Sequence, residues 1–393
     1  MKKLMIVGAS VLQLPAILKA KKLGYNVAVV DYNQDAIGVK YADKYYCVST
    51  KDEDAVLAAA IDFMPDGIMT LATDMPMRGI ARSTEKLHLP GINYETAYRA
   101  TDKYEMIRVF DQHRVPIPWY YIIEKEEDLS DLKDNIVFPC IIKPTDSSGS
   151  QGVYKINDFA ELLRYYPYSA SCSISSRVIV EEFLEGPEVS VEIMVVEGNA
   201  FVLQVTDKLT TGAPHFVEMG HTQPSQLPNS VLELIRRIAV DACCAVGINA
   251  GPAHVEMKVT KRGPVMIELG ARMGGDNITT HLVPLSTGID MVEAVIRYAL
   301  GEVPNVVPSI DKGAAIRYFS PPEGKITAID NIDDALSLPG VKQIVFTKNI
   351  GDFSTEIKSS SDRVGFVIAQ GESASDAIDI CNKVLNIIKF TIE

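Results

Sequence analysis

The stretch NAGPAHVEMKVTKRGPVMIELGARMGGDN, from Asn249 to Asn277, decides the fold. Residues 254–259 and 265–269 both alternate between polar and apolar side chains, the period of a half-buried strand. Lys261-Arg262-Gly263-Pro264 between them supplies turn residues. A hairpin centred on Arg262 sets Thr260 opposite Pro264, Lys258 opposite Met266, and Glu256 opposite Glu268. The two carboxylates then share one face, with Cβ atoms roughly 5 Å apart. Val255, Met257, Val259, Val265, Ile267 and Leu269 form the opposite, buried face. Like charges directly across a ladder repel, so a cation belongs between them. A hard divalent ion such as Mg²⁺, or Mn²⁺ in its place, suits two carboxylates that share it with phosphate oxygens. The competing reading is a hairpin with a solvated acidic face. Arg272 and the turn Gly274-Gly275-Asp276-Asn277 follow at once and set a cation and a pliable backbone beside the acidic pair.

Working outward, 393 residues suffice for two to four domains. A formal net charge of −13 argues against general binding to nucleic acid or to anionic membranes. The six cysteines show no CxxC spacing, which fits a reduced, cytoplasmic chain. No apolar run is long enough to span a bilayer.

Upstream, Leu4–Val7, a helix over 11–23 closed by Gly24, and Asn26–Val30 ending at Asp31 make a βαβ opening. An acidic residue after the second strand suggests a nicotinamide dinucleotide site, but of the glycines such a fingerprint needs only Gly8 is present. The unit continues to Pro90-Gly91. Its Ala72-Thr73-Asp74 turn lies at a strand's carboxyl end, where α/β domains contact ligands, so Asp74 is a substrate candidate as well as an N-cap candidate. A helix over 102–113, capped by Thr101, carries Lys103 in its first turn. A cation there opposes the helix dipole and calls for an anionic partner. Pro116 and Pro118 read as a hinge. Beyond them, the strand ending in Lys143 and the strand over 153–156 flank a small-residue loop, Ser147-Ser148-Gly149-Ser150-Gln151-Gly152. Its open backbone N–H groups can wrap a phosphate.

The strand Arg177–Val180 runs into Glu181-Glu182-Phe183-Leu184. The next strand alternates strongly and has a polar face of Glu188, Ser190 and Glu192. The segment 209–228 reads as a polar loop holding His215, Glu218 and His221. A zinc site would need these three on one helical face, which the prolines and glycines around them oppose. Substrate recognition is the other reading. A helix over 231–246 buries Val231, Leu234, Ile235, Ile238, Ala242 and Ala245, and another follows the hairpin at about 289–300. From about Val303, strands over 314–319, 340–347 and 363–369 and a helix over 373–388 read as a separate αβ unit.

In this order the pieces resemble the ATP-grasp superfamily over nearly the whole chain. The resemblance implies an α/β fold, α+β in the ATP-binding part: a Rossmann-like domain over 1–100, an ATP-grasp domain over 101–302 with a lid at about 119–185, and a C-terminal domain over 303–393. It implies ATP and Mg²⁺ as cofactors, with Lys103 and Lys143 on the phosphates and Ser147 to Gly152 as the lid loop. Glu181, Glu182, Phe183 and Leu184 would lie against adenine, Glu188 on the ribose, and Glu256 and Glu268 on the metal. Many members carry Asn two residues after the second metal Glu. Gly270 stands there in this chain, so water or another group must fill that place. The run from Glu268 to Asp276, and the loop from His215 to Pro224, are similar to those of the L-amino acid ligases that form dipeptides. That likeness implies Arg272 as the ligand of the acyl phosphate and tetrahedral species. It also implies His215, Glu218, His221, Gly274, Gly275 and Asn277 near the substrate.

The expected activity is therefore joining a small-molecule carboxylate to an amine, with ADP released, in a homodimer. The alternatives are a phosphoribosylamine–glycine ligase-like or biotin-carboxylase-like enzyme, a nicotinamide oxidoreductase using Gly8 and Asp31, and a non-catalytic ATP sensor.

Overall fold

The computed structural model describes residues 1–147 and 151–393. Ser148, Gly149 and Ser150 of the expected lid loop lie outside them. At the N-terminus a four-stranded parallel sheet has the order Lys44–Cys47, Asn26–Asp31, Lys3–Val7, Gly67–Met69. Three of its strands are largely buried and apolar on both faces, whereas the edge strand Lys44–Cys47 is part-exposed. The first turn does not favour the alternative of a dinucleotide site. Asp31 spends its carboxylate on the backbone N–H groups of Ala9 and Asn33, at 2.8 and 2.9 Å, and a Cβ at Gly8 would collide with Gln13. Ribose and pyrophosphate would both find their places taken.

The helix expected over 102–113 runs from Lys103 to Gln112, and its cap is Asp102, not Thr101. Thr101 still belongs to the helix Tyr94–Thr101, and its hydroxyl donates to the Ala97 carbonyl. The extended Asp102 accepts from the N–H groups of Tyr104 and Glu105. Next comes a four-stranded antiparallel sheet ordered Tyr120–Ile123, Val178–Glu182, Cys140–Pro144, Tyr154–Ile156, with the helix Phe159–Ser171 packed on it.

The largest sheet has eight strands: Gly263–Gly270, Gly251–Thr260, Glu188–Val196, Asn199–Thr210, Glu218–Gln223, Gly313–Tyr318, Gly365–Gly371 and Val341–Phe346. Three features differ from the sequence pattern. Glu218–Gln223, expected within a loop, is a central strand, because Thr222 and His221 find ladder partners on both sides. The C-terminal strands are not set apart, since Gly313–Tyr318 pairs with Glu218–Gln223 and extends the sheet. A fourth sheet, Phe353–Ser354, Gly324–Asp330 and Lys389–Ile392, had no signal in the alternation.

The hairpin differs in its interior. Its turn has two residues, Lys261 and Arg262, so Thr260 faces Gly263, Lys258 faces Val265, and Met257 faces Met266. A bulge then intervenes, and Glu256 faces Glu268 as expected. Ile267 is the extra residue. Met257, Met266, Val255 and Leu269 join the main core, whereas Ile267 lines a slot with Lys103 and Lys143. The helix Asn229–Val246 covers that core with Leu232, Ile235, Ile238, Ala242 and Val246, each buried leucine, isoleucine or valine contributing about 1.5–3 kcal/mol. Leu234, expected inside, is exposed because it lies off this stripe.

Candidate active site

The polar face of the central sheet holds the site. The Glu256 and Glu268 side chains both lie toward it, and each already faces cations. Glu256 Oε2 is 3.3 Å from Lys208 Nζ, and Oε1 is 3.0 Å from His254 Nε2. Glu268 Oε2 is 3.4 Å from Lys103 Nζ. Burial opposes ionisation of Glu256, but Lys208, His254 and Arg272 outweigh it and hold its carboxyl well below the usual range. Lys103 is the main cause of the lowered Glu268 value. Lys103 thus has the anionic partner its position called for, and it also donates to the Ser147 carbonyl at 2.8 Å.

Lys208 and His254 were not singled out from the sequence. Lys208 is 3% exposed and touches Glu188 at 2.7 Å, Glu218 at 3.6 Å and Glu256 at 3.3 Å. Its signal was available: a lysine inside a strand next to one with acids at alternate positions. His254 Nδ1 lies 2.7 Å from Oε1 of Glu192, which is fully buried. Burial pushes the imidazole down, but Glu192 and Glu256 raise it to about 9, so at neutral pH both nitrogens donate. The other oxygen of Glu192 has no hydrogen-bond partner.

The lid sheet supplies Lys143, whose Nζ is 2.6 Å from Glu181 Oε1, both largely buried. Lys103, Lys143, Glu181, Ile179, Met266 and Ile267 line a narrow slot. Glu182 is held at 2.5 Å by Arg262, and Glu188 meets Lys208 and, at 3.5 Å, Lys258. Phe183 has Lys155 over its ring and lies 6.3 Å from Phe216, while Leu184 is buried. Gln151 is exposed; Gly152 is buried against Pro144 and Cys172.

On the far side of the acidic pair, Arg272 is bound by Asp74. Nε to Oδ1 and Nη2 to Oδ2 are both 3.0 Å. Asp74 does not cap the following helix, which has Pro76 at its N-cap and no side-chain hydrogen bond. The His215–Glu218–His221 group does not converge. His215 lines a separate groove with Pro214, Pro321 and Glu356, Glu218 turns to Lys208, and His221 lies 3.5 Å from Asp276. Asp276 also takes a two-pronged grip from Arg363, at 2.6 and 2.9 Å, and Arg363 stacks 3.8 Å from the Tyr318 ring. Gly274 has no room for a side chain: a Cβ there would stand 2.6 Å from His254 Nδ1 and 2.8 Å from Glu192 Oε2. Asn277 adopts the left-handed conformation that starts the next helical turn.

No group of three or more His, Cys, Asp or Glu poised to hold a metal occurs among the described residues. That removes the zinc reading of the loop. Two facing carboxylates still fit a hard ion that draws its remaining ligands from phosphate and water.

A family model for the ATP-grasp domain matches residues 136–281, and one for L-amino acid ligase C-terminal domain 2 matches residues 317–393. The chain therefore carries an ATP-grasp domain followed by an L-amino acid ligase C-terminal domain. Among relatives of this ATP-grasp chain, the alanine–anticapsin ligase of Bacillus subtilis is 27% identical over 69% of this chain and 64% of its own length. A formate-dependent phosphoribosylglycinamide formyltransferase of Saccharolobus solfataricus is 23% identical over 98% of this chain and 96% of its own. The crystal structure of an L-amino acid ligase from Bacillus licheniformis superposes with a TM-score of 0.85 at 23% identity, covering 100% of this chain and 99% of that one. ATP-grasp ligases of this kind are ADP-forming enzymes that join a carboxylate to an amine. No helix of the described residues is long and apolar enough to cross a membrane.

Proposed function

We propose that the chain joins two amino acids, or an amino acid and a close analogue, into an amide through an acyl phosphate. The observation that carries this reading is the facing pair Glu256 and Glu268 with the Arg272 fork four residues beyond. The match of residues 317–393 to an L-amino acid ligase domain supports amino acids as the substrates.

The chemistry assigns a task to each group. A carboxylate is a poor acyl donor because oxide is a poor leaving group. Transfer of the γ-phosphoryl group of ATP to it forms an acyl phosphate and ADP. Lys103 and Lys143 neutralise the phosphates and hold donor and acceptor in line. Glu256 and Glu268 would hold Mg²⁺, which supplies charge neutralisation at the phosphates when bound. The amine then attacks the carbonyl, the C–N bond forms, phosphate leaves with the electron pair of the broken C–O bond, and the nitrogen gives up a proton to the departing phosphate or to water. The planar fork of Arg272 matches the oxyanion and the departing phosphate. The slot lined by Ile179, Met266 and Ile267 takes the adenine, with Glu181 to Leu184 along it and Glu188 toward the ribose. Ser147, Gln151 and Gly152 lie toward the phosphates. His221, Glu218, Gly274, Gly275 and Asn277 border the amino-acid substrates.

A pairwise screen of amino acids, read by ADP release and by mass spectrometry of the product, tests the proposal. Amine-dependent ADP and a product at the mass of the condensed pair are expected. The formyltransferase likeness, which spans 98% of the chain, favours a second reading. ADP release with formate and phosphoribosylglycinamide, and with no amino-acid pair, would establish that one instead.

A further inference from the structure

The floor of the site has a gap at Gly270, two residues beyond Glu268. A Cβ built there would stand 2.6 Å from Asp74 Oδ1, 3.0 Å from Arg272 Nε and 3.1 Å from Arg272 Cζ. A side chain there would have to displace the Asp74–Arg272 ion pair, which already fills the space. Asp74 comes from the N-terminal parallel sheet, 198 residues away in sequence.

The turn that delivers Asp74 is held at several points. Thr70 Oγ1 donates to the Val7 carbonyl at 2.7 Å, and Gln13 Nε2 donates to the Leu71 carbonyl at 2.7 Å. Ala72 then takes a positive φ of 57°, which costs a non-glycine residue about 1 kcal/mol or more and persists only where the surroundings enforce it. A Cβ added at Gly275 would stand 3.8 Å from its methyl group.

The pairing also sets which face of the guanidinium is left for a ligand. Arg has five N–H donors. Asp74 accepts from Nε and from one hydrogen of Nη2, and the Met273 carbonyl accepts from Nη1 at 3.2 Å. One N–H on each terminal nitrogen remains. A cavity lined by Asp74, Lys103, His254, Glu256, Glu268 and Arg272 lies against this group.

We propose that Asp74 is the positioning residue of the ligation centre: the N-terminal unit supplies a carboxylate that fills the place of a side chain at position 270 and aims the free edge of Arg272 at the reacting carboxylate. The proposal rests on the ligase reading, in which Arg272 meets the acyl phosphate. It also gives Gly270 a reason: the space that a third metal-binding side chain would occupy belongs to the clamp on the arginine.

The test uses the full-length protein with Asp74→Ala, Asp74→Glu, Arg272→Ala and the Asp74→Ala/Arg272→Ala double variant. Three readouts are taken: steady-state kinetics with the best amino-acid pair, ATP–Mg²⁺ affinity by calorimetry, and the rate at which phenylglyoxal modifies Arg272, followed by peptide mass spectrometry. Asp74→Ala should lower kcat by about thirtyfold or more, with KM for ATP and ATP affinity changed less than threefold. Asp74→Glu should recover part of kcat. In the Arg272→Ala background, Asp74→Ala should cost less than twofold further. Phenylglyoxal should modify Arg272 at least fivefold faster once Asp74 is removed. Independent, multiplicative losses in the double variant, or an unchanged modification rate, would overturn the positioning role. Faster modification in a protein that turns over no substrate pair would overturn the ligase reading instead, so the two failures are distinguishable.

Discussion

At the scale of single residues, the site is a balance of buried charges, and each can be removed separately. Glu268→Gln keeps the shape and loses the charge. ADP release should fall at least a hundredfold and the calorimetric signal of ATP–Mg²⁺ should weaken; wild-type turnover at ordinary Mg²⁺ would refute Glu268 as a metal ligand. Arg272→Lys should retain ATP binding and lose most product formation, because an ammonium cannot replace a fork; undiminished product yield would count against its assigned role. His254 gives a pH prediction with a definite sign. Its value is raised in the folded protein to about 9 by Glu192 and Glu256, overcoming burial. The stabilisation it brings is complete below the unfolded value of about 6.5 and is lost as pH rises through about 9. The full effect is on the order of 3 kcal/mol. Metal-free urea midpoints should therefore drop between these pH values in the wild type and stay nearly level in His254→Gln. An equal drop in both would assign the dependence elsewhere.

At the scale of elements, alternation in 254–259 and 265–269 was enough to bring Glu256 opposite Glu268, because a carboxylate cannot sit on the buried face. It could not show the bulge, since an extra residue in a strand changes which neighbours pair without changing composition. The polar face Glu188-Ser190-Glu192 was legible too, yet its partners Lys208 and His254 were not, because a pattern within one strand says nothing of which strand lies beside it. Cap chemistry was misplaced by one residue at Thr101 and Asp102 because both types cap well. The turn 274–277 depends on contact from afar. Arg363, supplied by the C-terminal segment, and His221 draw the carboxyl of Asp276 far below its usual value despite the burial that opposes them. Arg363→Ala leaves this partly buried carboxylate without its main partner, and a loss of about 2 kcal/mol is expected in urea unfolding at pH 7. An unchanged midpoint would mean that the pair holds the turn weakly.

At the scale of the whole molecule, the order of the units was readable because each has its own periodicity, while their joining was not. Sequence patterns placed a break near residue 303, yet the backbone ladder runs on from Glu218–Gln223 into Gly313–Tyr318. Deleting 303–393 would bare that strand edge together with Ile278 and Leu282, whose apolar partners Ile316, Tyr318 and Ile368 would be removed. The truncated chain should be insoluble or lack a cooperative melt; a soluble, cooperatively unfolding fragment would show the two parts to be independent. The Asp74–Arg272 contact is likewise a property of assembly. Nothing local to either residue announces the other.

The two-residue turn and the extra Ile267 have a consequence for comparing such hairpins. Each shifts the strand's phase by one residue, and the two shifts cancel before Glu268. A longer loop with an unbroken ladder would present the same acidic pair. The separation of twelve positions between Glu256 and Glu268 is therefore a ruler for the carboxylates and not for the loop. Chains that share the interval are free to differ at the tip, where an inserted residue and a deleted Ile267 would together be silent.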